Sequence, residues 1–119
     1  MNSTEKRKKE IQSSFSILDN LGVALLVTDP DTDEILFANG AMNLSYGVKG
    51  NPTGKTCYAA YGEDPARKCS FCPTERLKKN PNQPIMWERY HRNVKKWFRH
   101  TDILTNWSDG QQIHIQSVV

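Results

Sequence analysis

Val23-Ala24-Leu25-Leu26-Val27-Thr28-Asp29-Pro30-Asp31-Thr32-Asp33-Glu34-Ile35-Leu36-Phe37-Ala38-Asn39-Gly40 is the stretch that decides the architecture. Two apolar runs of strand length, Val23 to Thr28 and Glu34 to Ala38, flank Asp29 to Asp33, a segment dense in turn-forming residues. The pair predicts a hairpin. Asn39 then stands where a short side-chain oxygen can accept from an unpaired N–H of a following helix, so Gly40 to Tyr46 predicts about two capped turns of helix ended by Gly47. Asp29, Asp31 and Asp33 alternate as in a calcium loop, but no Gly follows Asp33 and Gly40 falls where such a loop needs its Glu. They are turn residues.

Upstream, Ile11, Phe15 and Leu18 fall at i, i+4 and i+7, joined by Ile17 and Leu21 and surrounded by charge, which predicts an amphipathic helix from Thr4 to Leu21 stopped by Gly22. Downstream, Val48 to Pro84 is rich in Gly, Pro and Asn and predicts short helices and loops, one of them from Pro73 to about Lys79 with Cys72 as its N-cap. Ile85 to Asn93, Lys96 to Thr105 and Gln111 to Val119 predict three strands. In the last, Ile113, Ile115 and Ser117 alternate with His114 and Gln116, so one face is expected to be wet. The order helix, two strands, short helices, three strands predicts an α+β domain with a five-stranded antiparallel sheet. Residues 1–21 are the N-terminal amphipathic helix and residues 22–119 the domain proper.

A chain of 119 residues supports one core. With 37% apolar and 24% charged residues it is expected to fold as a soluble domain. The net charge of +3 is too small and scattered to predict a nucleic-acid surface, Lys6-Arg7-Lys8-Lys9 being the one basic run. No apolar stretch has the length of a membrane span, so no membrane contact is expected of this segment. Three cysteines cannot pair fully, which fits a reducing, cytoplasmic setting.

The joints of this pattern resemble the PAS family of sensory modules in bacterial signal-transduction proteins. The likeness rests on Leu18-Asp19-Asn20-Leu21-Gly22-Val23 leading into Val27-Thr28-Asp29, on Ile35-Leu36-Phe37-Ala38-Asn39, on Gly54-Lys55-Thr56-Cys57-Tyr58, and on Ser108-Asp109-Gly110 before the final strand. The resemblance implies strand order 2-1-5-4-3, with short helices closing a pocket, or a filled core, over one face of the sheet. It also implies a regulatory segment, not an enzyme, joined to an output domain such as a sensor histidine kinase or a GGDEF diguanylate cyclase. The chain stops at Val118-Val119 in strand-like sequence, so it is expected to be a piece of a longer protein. In such proteins an N-terminal amphipathic helix pairs with its twin or lies on the sheet, and a homodimer is expected.

Cys57, Cys69 and Cys72 are the candidate metal or redox residues. Cys69-Ser70-Phe71-Cys72 has the spacing that places two thiolates on one metal ion or closes a reversible disulfide. With Cys72 at a helix N-terminus among Arg67, Lys68 and Arg76, it is expected to be the most acidic thiol, and Cys57 the last to react. A closed zinc site or four-iron cluster needs a fourth ligand, which His91, His100 or His114 would have to supply from distant strands. The plain alternative is that the thiols are packing residues. Cys57 also sits at a place comparable to the adduct-forming cysteine of flavin-binding LOV domains, but the motif breaks at Thr56 and over Tyr58-Ala59-Ala60-Tyr61. No cofactor is named by the sequence, and a domain with none bound is its simplest reading.

Phe37, Tyr46, Tyr58 and Trp87 are the candidate pocket aromatics. Arg89-Tyr90-His91-Arg92 and Lys95 to His100, on adjacent strands, are expected to form a solvated sheet face with cross-strand pairs. No nucleophile, base and orienting group, phosphate loop or carboxylate pair has a telling spacing. Three readings follow: a module that binds a small ligand or senses redox state, a cysteine-based metal or iron–sulfur sensor, and a pure dimerisation module.

Overall fold

The apolar runs of the hairpin pair as antiparallel strands β1 (Ala24–Thr28) and β2 (Ile35–Ala38), and the last three runs form β3 (Ile85–His91), β4 (Lys96–Asn106) and β5 (Gln112–Val118). They make one five-stranded antiparallel sheet in the order β2-β1-β5-β4-β3, the order implied by the resemblance. The computed structural model describes residues 3–19 and 22–119, without the side chains of Ser3 and Thr4.

Among the described residues four α-helices accompany the sheet: α1 (Ser3–Phe15), α2 (Gly40–Tyr46), α3 (Cys57–Tyr61) and α4 (Thr74–Lys79). α1 gives way to a 3-10 turn over Ser16–Leu18, so its α-helical part is shorter than the apolar spacing predicted. The predicted helix end at Leu21, the motif residue Asn20 and the proposed boundary after residue 21 lie outside the described residues. α4 begins at Thr74 with Pro73 in the cap position, one residue later than expected, so Cys72 is not the N-cap.

The sheet uses its faces differently. On the outer face Val27, Leu36, Phe37 and Ile113 pack with Ile11, which is completely buried, and with Phe15. Phe15 stacks obliquely on Phe37 at 5.6 Å and on Trp107 at 6.3 Å. α1 is fastened at its start by Arg7, 3% exposed, whose Nη2 donates to Asp29 at 2.5 Å, and by an ion pair between Lys8 and Glu34. Burial alone would raise the Asp29 carboxyl, but Arg7 and the N–H groups of Asp31 and Thr32 outweigh it and hold the group below the usual carboxylate range. The apolar stripe of α1 thus lies on the sheet of its own chain, the second of the two arrangements expected. On the inner face Ala24, Leu26, Phe98 and Val118 pack under Met42 and Tyr46 of α2 and Tyr61 of α3.

Asn39 ties the two faces together. It is fully buried, and its Oδ1 accepts from the N–H of Met42, capping α2, and from the N–H of Leu25 in β1, both at 3.0 Å. Its Nδ2 donates to the carbonyls of Val23 at 2.6 Å and Leu18 at 3.3 Å. The side chain therefore joins α2, the start of β1 and the end of the N-terminal helical segment, well beyond the single cap predicted. Asn39→Ala strands two buried N–H groups and removes the carbonyl partners, which should cost about 3 kcal/mol, not the roughly 1 kcal/mol of an isolated cap. Urea unfolding of Asn39→Ala beside Asn51→Ala, in an exposed turn, measures this; a loss near 1 kcal/mol would leave only the helix cap.

Candidate functional site

Alternation along β3, β4 and β5 turns one row of side chains inward, and in this chain the row is polar. Trp87, Arg89 and His91 come from β3, His100 and Asp102 from β4, His114 and Gln116 from β5; all but Asp102 line a cavity of about 80 Å³. The opposite wall is made by Met42 and Tyr46 of α2, by Cys57, Tyr58 and Tyr61 of α3, and by the segment carrying Cys69, Phe71, Cys72 and Pro73. This corrects two expectations. The His114 and Gln116 side of β5 is not wet: His114 is buried on the cavity, while Ile113 turns to the other face beneath α1. The basic and aromatic residues of β3 and β4 are divided: Glu88 pairs with Arg99 and Tyr90 meets Trp97 outside, whereas Arg89, His91 and His100 line the interior.

Asp102 organises the floor. It is 0% exposed, and its two oxygens accept three hydrogen bonds from the two neighbouring strands. Oδ2 accepts from the Trp87 indole at 2.6 Å. Oδ1 is shared by the Gln116 amide at 2.8 Å and His114 Nε2 at 2.6 Å. A buried carboxylate is costly unless it is hydrogen-bonded in this manner.

Beside it, His91 and His100 share one hydrogen bond between their Nε2 atoms at 2.9 Å. One ring must donate and the other accept, so at least one is neutral. The Trp87 ring lies flat on His100, centroids 4.0 Å apart and planes 13° from parallel, and Tyr46 meets His91 edge-on at 5.3 Å. Burial pushes the His91 imidazolium down, and Arg89 adds to the effect. His100 is brought down to about 4, by burial first and by His91 second, against the pull of Asp102. Among the described residues its buried Nδ1 has no close hydrogen-bond partner, and the Gln116 side chain beside it pulls the group back up.

Arg89 closes the side of the cavity nearest Phe71. Its guanidinium lies 3.6 Å above the Phe71 ring, its Nη2 pairs with Glu63 at 2.9 Å, and its buried Nη1 has no hydrogen-bond partner among the described residues. Phe71 also meets Trp87 at 5.5 Å.

The three cysteines, scattered in sequence, all line this one cavity as free thiols. Burial, then Asp33, pushes the Cys57 thiol up to about 12. Burial and the neighbouring Cys72 push Cys69 up as well. Cys72 Sγ lies 3.0 Å from Thr74 Oγ1. All three histidines reach the same cavity, which their separation in sequence had hidden, yet among the described residues no three His, Cys, Asp or Glu side chains converge as metal ligands. Of the aromatics predicted to line a pocket, Tyr46, Tyr58 and Trp87 do so. Phe37 does not: it stands on the outer face with Ile11 and Phe15. The polar floor residues Asp102, Gln116 and Arg89 were missed; the only signal for them was polar residues in phase on three paired strands.

A five-stranded antiparallel sheet of order 2-1-5-4-3 with short helices over one face and a cavity between them is the arrangement of known sensory domains. The chain adopts the PAS fold. No family model matches the sequence, and no curated protein matches it; the similarity is in structure. The PAS domain of BvgS from Bordetella pertussis is similar over 93% of this chain and 85% of that one, at 16% identity and TM-score 0.65. The PAS domain of nitrogen regulation protein NR(II) from Vibrio parahaemolyticus is similar over 89% of this chain and 95% of that one, at 15% identity and TM-score 0.59. A phage VqmA in complex with DPO covers 99% of this chain and 56% of its own, at 14% identity and TM-score 0.63. Within the PAS fold the cavity described here lies between the sheet and the short helices. At about 80 Å³ it is small beside the roughly 300–1,000 Å³ of pockets for drug-sized ligands.

The histidine pair gives the fold a pH dependence of definite sign. His100 titrates lower in the folded chain than the usual 6.5, so its contribution is complete above about pH 6.5 and is lost as pH falls toward 4. The loss should reach roughly 3 kcal/mol. Urea unfolding of wild type and His100→Gln at about pH 7 and about pH 4 should show the smaller drop in the variant; equal drops would mean the neutral pair carries no such stability.

Proposed function

We propose that this PAS-fold chain is a sensory module that binds a small molecule in its inner cavity and passes the change to a linked output domain, such as a histidine kinase or diguanylate cyclase. The observation that carries this reading is that Arg89, which lines the cavity, holds a buried nitrogen, Nη1, with no hydrogen-bond partner among the described residues. Buried polar atoms are nearly always satisfied, and a bound molecule with an acceptor facing Arg89 supplies what the chain does not. Around it the lining is mostly apolar and aromatic, from Leu26, Met42, Tyr46, Tyr61 and Trp87. The fitting ligand is therefore small, apolar over most of its surface and oxygen-bearing at one end. The solved VqmA–DPO complex shares the fold and supports a ligand-binding reading.

The sheet offers a path outward. Asp102 and Gln116 join the cavity floor to β4 and β5, and the other face of β5 carries Ile113 against Ile11 of α1. A ligand that shifts the floor thereby acts on the segment leading into the domain.

A screen of small carboxylic acids, ketones and alcohols by thermal shift and by NMR should find binders that move resonances of Trp87, His100 and Gln116. Arg89→Ala should weaken such a binder about tenfold or more, a loss of roughly 1.4 kcal/mol or above. Binders that perturb other surfaces, or bind Arg89→Ala equally well, would contradict the reading.

A further inference from the structure

We infer that Cys69 and Cys72 form a dithiol that closes to a disulfide across the turn roofing the cavity, by exchange with a low-molecular-weight disulfide such as oxidised glutathione. The two residues end one β-turn, in which the Cys72 N–H donates to the Cys69 carbonyl at 3.2 Å. A turn of this kind brings its end Cα atoms within about 7 Å, at the edge of the roughly 4.4–6.8 Å that disulfides span. Both residues line the cavity, both are free thiols of intermediate exposure, and each sulfur lies within electrostatic reach of the other. A small closure of the turn joins them.

Cys72 is the attacking sulfur. The Thr74 hydroxyl, 3.0 Å from Sγ, can donate to a thiolate, and the Lys68 ammonium lies within electrostatic reach. The Cys72 thiolate attacks one sulfur of oxidised glutathione, forming a mixed disulfide and expelling one glutathione thiolate. Cys69 then loses its proton to solvent and its sulfur attacks the Cys72 sulfur, forming the intrachain bond and expelling the second glutathione thiolate. Two electrons pass from the dithiol to glutathione, and the two cysteine protons are balanced by the two glutathione thiols released. Cys57 stands at the start of α3, outside this turn, and its thiol is also held up to about 12 by burial and then by Asp33, so it takes no part.

The consequence reaches the cavity through Phe71. Phe71 lies inside the turn, against Trp87 at 5.5 Å and under Arg89 at 3.6 Å. Drawing the turn ends together moves this ring against β3, so the cavity wall reports the thiol–disulfide state. This goes beyond ligand binding and stands without it.

The test is to hold the reduced chain in graded ratios of reduced to oxidised glutathione, trap the free thiols and map the products by mass spectrometry. Wild type and Cys57→Ser are expected to form the Cys69–Cys72 link to the same extent. Cys69→Ser is expected to accumulate glutathione on Cys72, and Cys72→Ser to lose the link. Wild-type mapping alone decides the pairing, so a variant that folds poorly leaves the test intact. A link that includes Cys57, thiols that stay reduced in oxidised glutathione alone, or a folded Cys69→Ser that takes no glutathione on Cys72 would overturn the inference.

Discussion

The carboxylate of Asp102 is the constraint around which the inner face of the sheet is arranged. Buried charge is tolerated only with a full set of donors, and here they come from the two strands that flank Asp102 of β4: Trp87 of β3, and His114 and Gln116 of β5. Satisfying it fixes the indole, which fixes the stacked His100 ring, which in turn holds His91 through the Nε2 to Nε2 hydrogen bond. The cavity floor is thus one connected polar network, and removal of one member leaves others unpaired.

The two faces of the sheet then divide the work of the molecule. Over β1, β2 and β5 the outer face is apolar and packs against α1, with Ile11 buried completely, while over β3 and β4 it carries Glu88, Arg99, Tyr90 and Trp97. The inner face gives up some apolar packing to hold polar groups around open space, which costs stability that a filled core would keep. Asn39 compensates at the seam, since its four side-chain hydrogen bonds bind α2, β1 and the N-terminal segment into one frame.

Much of this frame was legible in the residues. The hairpin at Val23 to Ala38, the cap at Asn39 and the three closing strands follow from local propensity and turn chemistry, which act over a few neighbours and so survive in sequence. The boundaries of α1 and α4 shifted because helix ends depend on where the chain docks. The site was far less legible. His91, His100 and His114 look remote from the cysteines along the chain, and only the pairing of β3, β4 and β5 brings them to the same cavity. Phe37 misled for the complementary reason: an aromatic ring in a strand belongs to one face or the other, and its packing against Phe15 settles the side. The alternation of His114 with Ile113 announced two unlike faces, but neither meets water, because α1 packs on one and the cavity wall faces the other, positions that no short-range rule supplies.

The central claim is that one buried carboxylate holds the three donor side chains of the cavity floor together, and NMR of the side-chain N–H groups in Asp102→Asn tests it most directly. An Asn at this position keeps the shape but replaces one acceptor oxygen with a donor. The account predicts that the Trp87 indole, His114 imidazole and Gln116 amide resonances all move, and that the indole proton, slow to exchange with solvent in wild type, exchanges rapidly in the variant. A change confined to one of the three groups, with the indole proton still protected, would show that the floor is not a single network.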